Sequence, residues 1–185
     1  MSVLQVLLAN SGPYAYWNPA DAGGAITLSN ANLTAAHSTS PGMVRANKSV
    51  TGTQKKYWEV RVDSGGTNGV IGMANGSLST GSYPGATSDG FGWSNSGAVI
   101  YAGATAITID TWSAGDVLGF LCDLSTSTTS FYKNGVLQGS TLGIAYVGAM
   151  VYPCFGGAGN ATTVTARFGL NVSYSIPSGA TLLTL

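Results

Sequence analysis

Charge is what this chain has least of: charged residues make up 8% of its 185 positions, and seven basic side chains balance seven acidic ones. The basic residues, Arg45, Lys48, Lys55, Lys56, Arg61, Lys133 and Arg167, are scattered, so no stripe forms that could neutralise a phosphate backbone. Nucleic acid is not an expected partner. Histidine occurs once, at His37, in a Ser/Thr-rich stretch with no acidic residue nearby. A nucleophilic triad has no base to draw on, and a zinc site has too few ligands. A solvent-exposed loop histidine is expected, with no cofactor and no metal; Asp89 and its neighbours lack the spacing of a calcium loop.

Glutamate also occurs once, at Glu59. Glu59 and Asp63 share a face of one strand, but four extended residues place them about 13 Å apart. Glycosidases need roughly 5–5.5 Å or 6.5–9.5 Å between their carboxyls. Glu59 is therefore expected to be a strand carboxylate held by neighbouring loops or by Arg61, and Asp116 and Asp123 to fix turns. Cys122 and Cys154 cannot form a CxxC pair and are expected to be buried thiols. Long hydrophobic runs are missing, so no membrane insertion is expected. The short run Val3–Leu8 has no basic residue before it and no cleavage site after it, which argues against a signal peptide. Without that address, the glycosylation-type tripeptides at Asn32, Asn47, Asn75, Asn160 and Asn171 carry no functional weight.

What the chain does have is 27 glycines, nine tyrosines, four tryptophans and 44% hydrophobic residues, a composition that folds. No segment sustains helical periodicity. Short β-rich runs recur between clusters of Gly, Ser, Asn and Pro: Val3–Leu8, Ala25–Leu28, Leu33–Ala36, Met43–Ala46, Tyr57–Val62, Val70–Ala74, Gly90–Trp93, Ala98–Tyr101, Val117–Asp123, Thr128–Tyr132, Met150–Phe155, Val164–Phe168 and Thr181–Leu183. Their spacing predicts an all-β protein, two antiparallel sheets packed face to face. In Tyr57–Val62, Trp58, Val60 and Val62 share the core face, while Tyr57, Glu59 and Arg61 share the other. Val117–Leu124 is apolar on both faces, as a central strand would be. No linker divides the chain, so residues 1–185 are expected to form one domain. The glycine-rich stretches Gly65-Gly66 and Gly156-Gly157-Ala158-Gly159 lack the helix, Lys and Ser/Thr of a phosphate loop and are expected to be tight connections.

Particular motifs then fall in order. Lys56-Tyr57-Trp58-Glu59-Val60 is followed by Val70-Ile71-Gly72-Met73-Ala74, by Phe91-Gly92-Trp93 with Ile100-Tyr101, and by Gly115-Asp116 and Asp123. Phe131-Tyr132-Lys133-Asn134-Gly135-Val136, Tyr152-Pro153 and Arg167-Phe168-Gly169 complete the series, with Asn134-Gly135 suited to a type I′ turn. Trp17-Asn18-Pro19 with Ile26–Ser29 opens it, and Ile176-Pro177-Ser178-Gly179 closes it. From about Trp17 onward the chain resembles the SPRY family. The resemblance implies a concanavalin-A-like jelly-roll sandwich that recognises ligands and does no chemistry.

On such a scaffold the end loops carry binding. The candidates are Asn75–Asp89, Asn95–Gly97 with Ala102–Trp112, Gly139–Val147 and Gly156–Thr163, and the site residues expected from them are Asn75, Tyr83, Asp89, Trp112 and Tyr146. Trp93 and Tyr101, on strands, are expected in the core. Low charge with abundant Gly, Ser, Thr and Ala resembles bacteriophage or prophage appendage proteins. That resemblance implies a virion or tail component binding a host-surface protein or glycan, in a virion or in host cytoplasm. The rival expectations are a cytosolic adaptor for a short peptide, a virion decoration or assembly protein, and a glycan-cleaving enzyme.

Overall fold

The computed structural model describes residues 15–65, 67–138, 142–143, 150–169 and 171–183. In chain order the strands begin with β1 (Trp17–Ala22), β2 (Ile26–Ser29), β3 (Thr34–His37), β4 (Gly42–Ala46), β5 (Val50–Thr51) and β6 (Lys55–Ser64). There follow β7 (Gly69–Ala74), β8 (Gly90–Ser94), β9 (Ala98–Tyr101), β10 (Ala104–Thr108), β11 (Val117–Asp123) and β12 (Thr128–Lys133). The last are β13 (Val136–Leu137), β14 (Leu142–Gly143), β15 (Met150–Gly157), β16 (Thr162–Arg167) and β17 (Thr181–Leu182). The expected strand Val3–Leu8 and most of the loop Gly139–Val147, Tyr146 included, lie outside the described residues.

Two sheets result, as the sandwich expectation requires. The first runs β1-β4-β15-β7-β8-β9-β10, with β5 also on β15. The second runs β13-β12-β11-β6-β16-β3-β2, with β14 on β12 and β17 on β6. Pairing is antiparallel apart from β17, which lies parallel to the start of β6, Thr181 beside Lys56 and Leu182 beside Tyr57.

Period-two alternation decides what each sheet puts inside. Trp58, Val60 and Val62 of β6 and Leu118, Phe120 and Cys122 of β11 face Ile71 and Met73 of β7 and Phe91 and Trp93 of β8 across one core. The rings interlock: Trp58 stacks on Phe120 at 5.8 Å, and Phe131 stands edge-on to Phe91 at 5.7 Å and to Trp93 at 6.0 Å. Such pairs each add about 0.5–1.5 kcal/mol beyond their buried area. Cys122 and Cys154 are free and buried, on β11 and β15 of different sheets. Burial is the main reason their thiols resist ionisation, with Cys122 pushed up to about 12 and Cys154 also raised.

The Phe131–Val136 hairpin is scaffold. Asn134 and Gly135 have φ of 51° and 80°, as a type I′ turn demands. The Asn134 side chain accepts from Val117 N–H at 2.9 Å and donates to Asp116 Oδ1 at 2.8 Å, while Asp116 Oδ2 accepts from Ser113 N–H at 2.9 Å. Burial alone would raise the Asp116 carboxyl, but these hydrogen bonds and the nearby Lys133 outweigh it and hold the group below the usual carboxylate range. Asp123 likewise fixes its turn, accepting from Ser125 N–H at 3.0 Å.

Some expectations need correction. His37 is not an exposed loop residue: it ends β3, is 2% exposed, packs edge-on to Phe155 and engages Ser40 C=O through Nε2 at 2.8 Å. Alternation explains it, since His37 follows buried Ala35 on the inner face of β3. Glu59 is held by a loop, as expected, but not by Arg61, which pairs with Asp63 at 2.5 Å. Its carboxylate is fully buried and accepts from Tyr57 O–H at 3.0 Å and from the backbone N–H of Ser173 at 2.6 Å and Tyr174 at 3.0 Å. The outer face of β6 is therefore covered at its first half: Tyr57, Leu121 and Leu182 form a cluster there, with Tyr132, Val172 and Ala180 against it.

Candidate functional site

Residues 75–89 are a strap across the outer face of the first sheet. Asn75 N–H donates to Asp89 C=O at 2.8 Å, Asn75 Nδ2 to Asp89 Oδ1 at 3.1 Å, and Thr87 Oγ1 to Asp89 Oδ2 at 3.1 Å, so the two ends are tied together. Asn75 and Asp89, both expected site residues, thus close the strap.

Arg45 anchors its first half. The guanidinium grips Asp21 with Nε to Oδ2 at 2.5 Å and Nη2 to Oδ1 at 2.7 Å, and Nη1 donates to the carbonyls of Asn75 at 3.1 Å and Leu78 at 2.6 Å. Beneath it Leu78 covers Met43, Ala74 and Cys154, a second apolar cluster on the face turned away from the main core. Met43 N–H adds a bond to Thr80 C=O at 2.9 Å.

The second half is held by close approach. A β-carbon on Gly92 would stand 2.9 Å from Pro84 Cβ and collide with Val70, so the bare backbone of β8 is what lets Pro84 seat on the sheet. Beyond it, Gly103 N–H donates to Gly85 C=O at 2.8 Å and Ala102 N–H to Thr87 C=O at 3.3 Å, pinning the β9–β10 turn to the strap.

Between strap, sheet and turns lies a cleft of about 410 Å³, within the range of small-ligand sites. Tyr83 of the strap, Val70 of β7 and Ala98 and Ile100 of β9 give apolar surface; Asn68, Ser94, Asn95, Ser96 and Thr105 give hydroxyls and amides; Gly103, Ala104 and Ala158 complete the wall. Part of this polar set is already engaged: Ser94 Oγ lies 2.8 Å from Ser96 Oγ and donates to Ala98 C=O at 3.0 Å, and Asn68 N–H donates to Asn95 Oδ1 at 3.0 Å. These internal bonds fix the wall before a ligand arrives.

The lining carries no carboxylate, imidazole, thiol or ammonium among the described residues. Any acid–base or covalent chemistry there would have only the hydroxyls of Tyr83, Ser94, Ser96 and Thr105 to draw on. Elsewhere the carboxylates of Asp21, Glu59, Asp63, Asp89, Asp116 and Asp123 are committed to ion pairs, turns or the 173–174 backbone. No three His, Cys, Asp or Glu side chains come together among the described residues. Nor is any helix there long and apolar enough to cross a membrane.

Of the site residues expected from sequence, Tyr83 lines the cleft. Trp112 does not: it is 4% exposed, and its indole N–H donates to Trp93 C=O at 3.2 Å, so the ring is a wall of the core and cannot stack on a ligand. Tyr146 lies outside the described residues. Trp93 is fully buried and Tyr101 packs against the core. The segments around Tyr83, Asn95 and Gly156–Thr163 do converge, the last through Ala158. Sequence reasoning missed Val70, Ala98 and Ile100, although strand alternation places each on the face opposite its core neighbours.

A family model of the SPRY domain matches residues 55–171. A comparison with curated protein sequences finds no match. Among solved structures, the SPRY domain of human HERC1 superposes with a TM-score of 0.72 at 19% identity, covering 85% of this chain and 99% of that one. The TRIM65 PSpry domain follows at 0.67 and 18%, covering 88% of this chain and 97% of that one. Stonustoxin gives 0.66 at 22%, covering 83% of this chain and 27% of the toxin chain.

Proposed function

Because the chain belongs to the SPRY domain family, whose members generally bind protein ligands without catalysing a reaction, we propose that it is a non-catalytic protein-recognition module whose ligand seats in the cleft under Tyr83. The observation that carries this reading is the cleft itself: a prefixed, neutral wall of hydroxyls, amides and apolar side chains on a rigid sheet, with the carboxylates named above spent on structure. The family match starts at Lys55, yet β1 to β5 complete both sheets, which supports reading residues 1–185 as one domain.

The test is a parallel screen of wild type and a Tyr83→Ala/Ile100→Glu variant against a displayed library of random peptides and a glycan array. Peptide binding that the variant loses, at unchanged Tm, supports the reading. Peptide binding indifferent to the variant, or cleft-dependent binding to glycans, overturns it.

The biological setting is a narrower proposal. Composition, with 8% charged residues and 27 glycines, supports a virion- or tail-associated protein of a phage or prophage that engages a host-surface protein or glycan. Detection of the chain in purified particles tests that setting. A chain restricted to cytoplasm would favour the adaptor reading, which suits the same cleft.

A further inference from the structure

We propose that β10 is an acceptor edge, on which an extended, uncharged peptide of the partner adds to the first sheet as its next strand, centred on Thr105. This rests on the reading of the cleft above and deepens it by naming how the ligand's main chain is held.

Among the described residues β10 pairs with β9 alone. Ala102 and Gly103, with φ of 50° and 76°, form a two-residue turn, and Tyr101 stands opposite Ala104. In such a hairpin the pair flanking the turn exchanges both hydrogen bonds, and the next residue points its N–H and C=O away. Thr105, opposite Ile100, is that residue. Its backbone donor and acceptor face outward.

The side chains leave that edge open. Natural edges are blunted by charge, proline, bulges or shortness. The sequence of β10 is Ala-Thr-Ala-Ile-Thr, with Ala104, Thr105, Ala106 and Thr108 exposed and neither charge nor proline among them. Of the other edges, β1 carries Pro19 and the paired Asp21 and β13 has two residues, while β2, free of charge and proline like β10, contributes nothing to the cleft lining. A bulge between Thr105 and Ile107 limits pairing on β10 to a short run, which suits a short peptide motif.

The edge is also continuous with the cleft, whose lining includes Ala104 and Thr105. A strand laid on β10 sits about 4.8 Å away, and every second side chain then stands beside Thr105 at the cleft's rim. Because the lining is neutral, a charged side chain entering the cleft would lose water without gaining a partner. The ligand is therefore an uncharged segment, and its affinity is nearly independent of salt. Polypeptide is favoured over glycan because only a polypeptide repeats its donors and acceptors at strand spacing.

The experiment uses the full chain and one peptide selected on it from a displayed random library. Thr105→Val, which keeps the N–H, should bind within about twofold of wild type. Thr105→Pro removes the outward N–H and blocks the edge; because that N–H makes no bond to β9, Tm should hold while affinity falls about tenfold or more. A second measurement leaves the protein unchanged: N-methylation of alternate peptide residues should abolish binding in one phase and spare it in the other. Full binding by Thr105→Pro and by both N-methylated phases, with loss in Tyr83→Ala, would sink strand addition while leaving the cleft reading intact. Selection of no peptide, or of charged peptides whose binding collapses with salt, would overturn it as well.

Discussion

Replacing Glu59 by Gln tests how the outer face of β6 is closed. The carboxylate is wholly buried and accepts from Tyr57 O–H and from the N–H groups of Ser173 and Tyr174. Gln keeps the shape but has one acceptor oxygen and an NH2 group. The two backbone N–H groups lie on different carboxylate oxygens, so whichever way the amide turns, a backbone donor meets a donor. A buried donor left unpaired costs about 1–3 kcal/mol, and the surviving bonds lose their charge-assisted strength, about 1 kcal/mol more. The expected destabilisation is about 2–4 kcal/mol, a fall in Tm of roughly 5–15 °C for a chain of this length. Urea unfolding gives the free energy, and limited proteolysis locates it: residues 171–183 should become cleavable before the rest. Tyr57→Phe, which removes one donor of three, should cost about 1 kcal/mol and little further on top of Glu59→Gln. If Glu59→Gln stays within about 0.5 kcal/mol of wild type, the three-donor cage is not what holds the segment down.

Other consequences are equally open to measurement. Arg45→Ala leaves the half-buried Asp21 without its partner and the carbonyls of Asn75 and Leu78 without a donor, and should cost about 2–3 kcal/mol in urea unfolding; Arg45→Lys should not rescue it, because one ammonium cannot replace a bidentate grip plus two carbonyl contacts. Asp116 has a lowered folded value, so its contribution is complete above the ordinary carboxylate range of about 4 and is lost as pH falls through the folded value. Asp116→Asn should flatten the acid limb of a stability–pH curve, and an unchanged limb would remove Asp116 from the account. Cys122 and Cys154, buried and resistant to ionisation, should ignore a thiol reagent at pH 8 until the protein unfolds; labelling of the folded protein would contradict that burial.

Much of the fold was legible because strand periodicity is local. The alternation of Trp58, Val60 and Val62 marks the inner face of β6 without reference to anything distant. For Tyr57 and Glu59 the same rule gives only the face opposite the core; which loop covers that face was not legible, because the covering backbone comes from residues more than a hundred positions later and leaves no local trace. His37 misled through its polar neighbours, although alternation from Ala35 pointed inward. Strands β1 and β10 escaped notice for physical reasons: Pro19 interrupts one, and the small residues of the other carry little β-signal. In the site, residues 75–89 read from sequence only as a candidate binding loop. Leu78 and Pro84 are the apolar exceptions within it, and they turned out to be the points where the strap is nailed to the sheet.

The clamp on Glu59 has a consequence for how the chain is made. Glu59 leaves the ribosome well before the backbone groups that hold its carboxylate, which lie 114 and 115 residues later. At about 5–20 residues per second, the outer face of β6 waits roughly 6–23 s for its cover. During that interval a central strand offers a tyrosine ring and a carboxylate where the finished protein has neither exposed, so the nascent chain passes through a window in which it is stickier than its folded form.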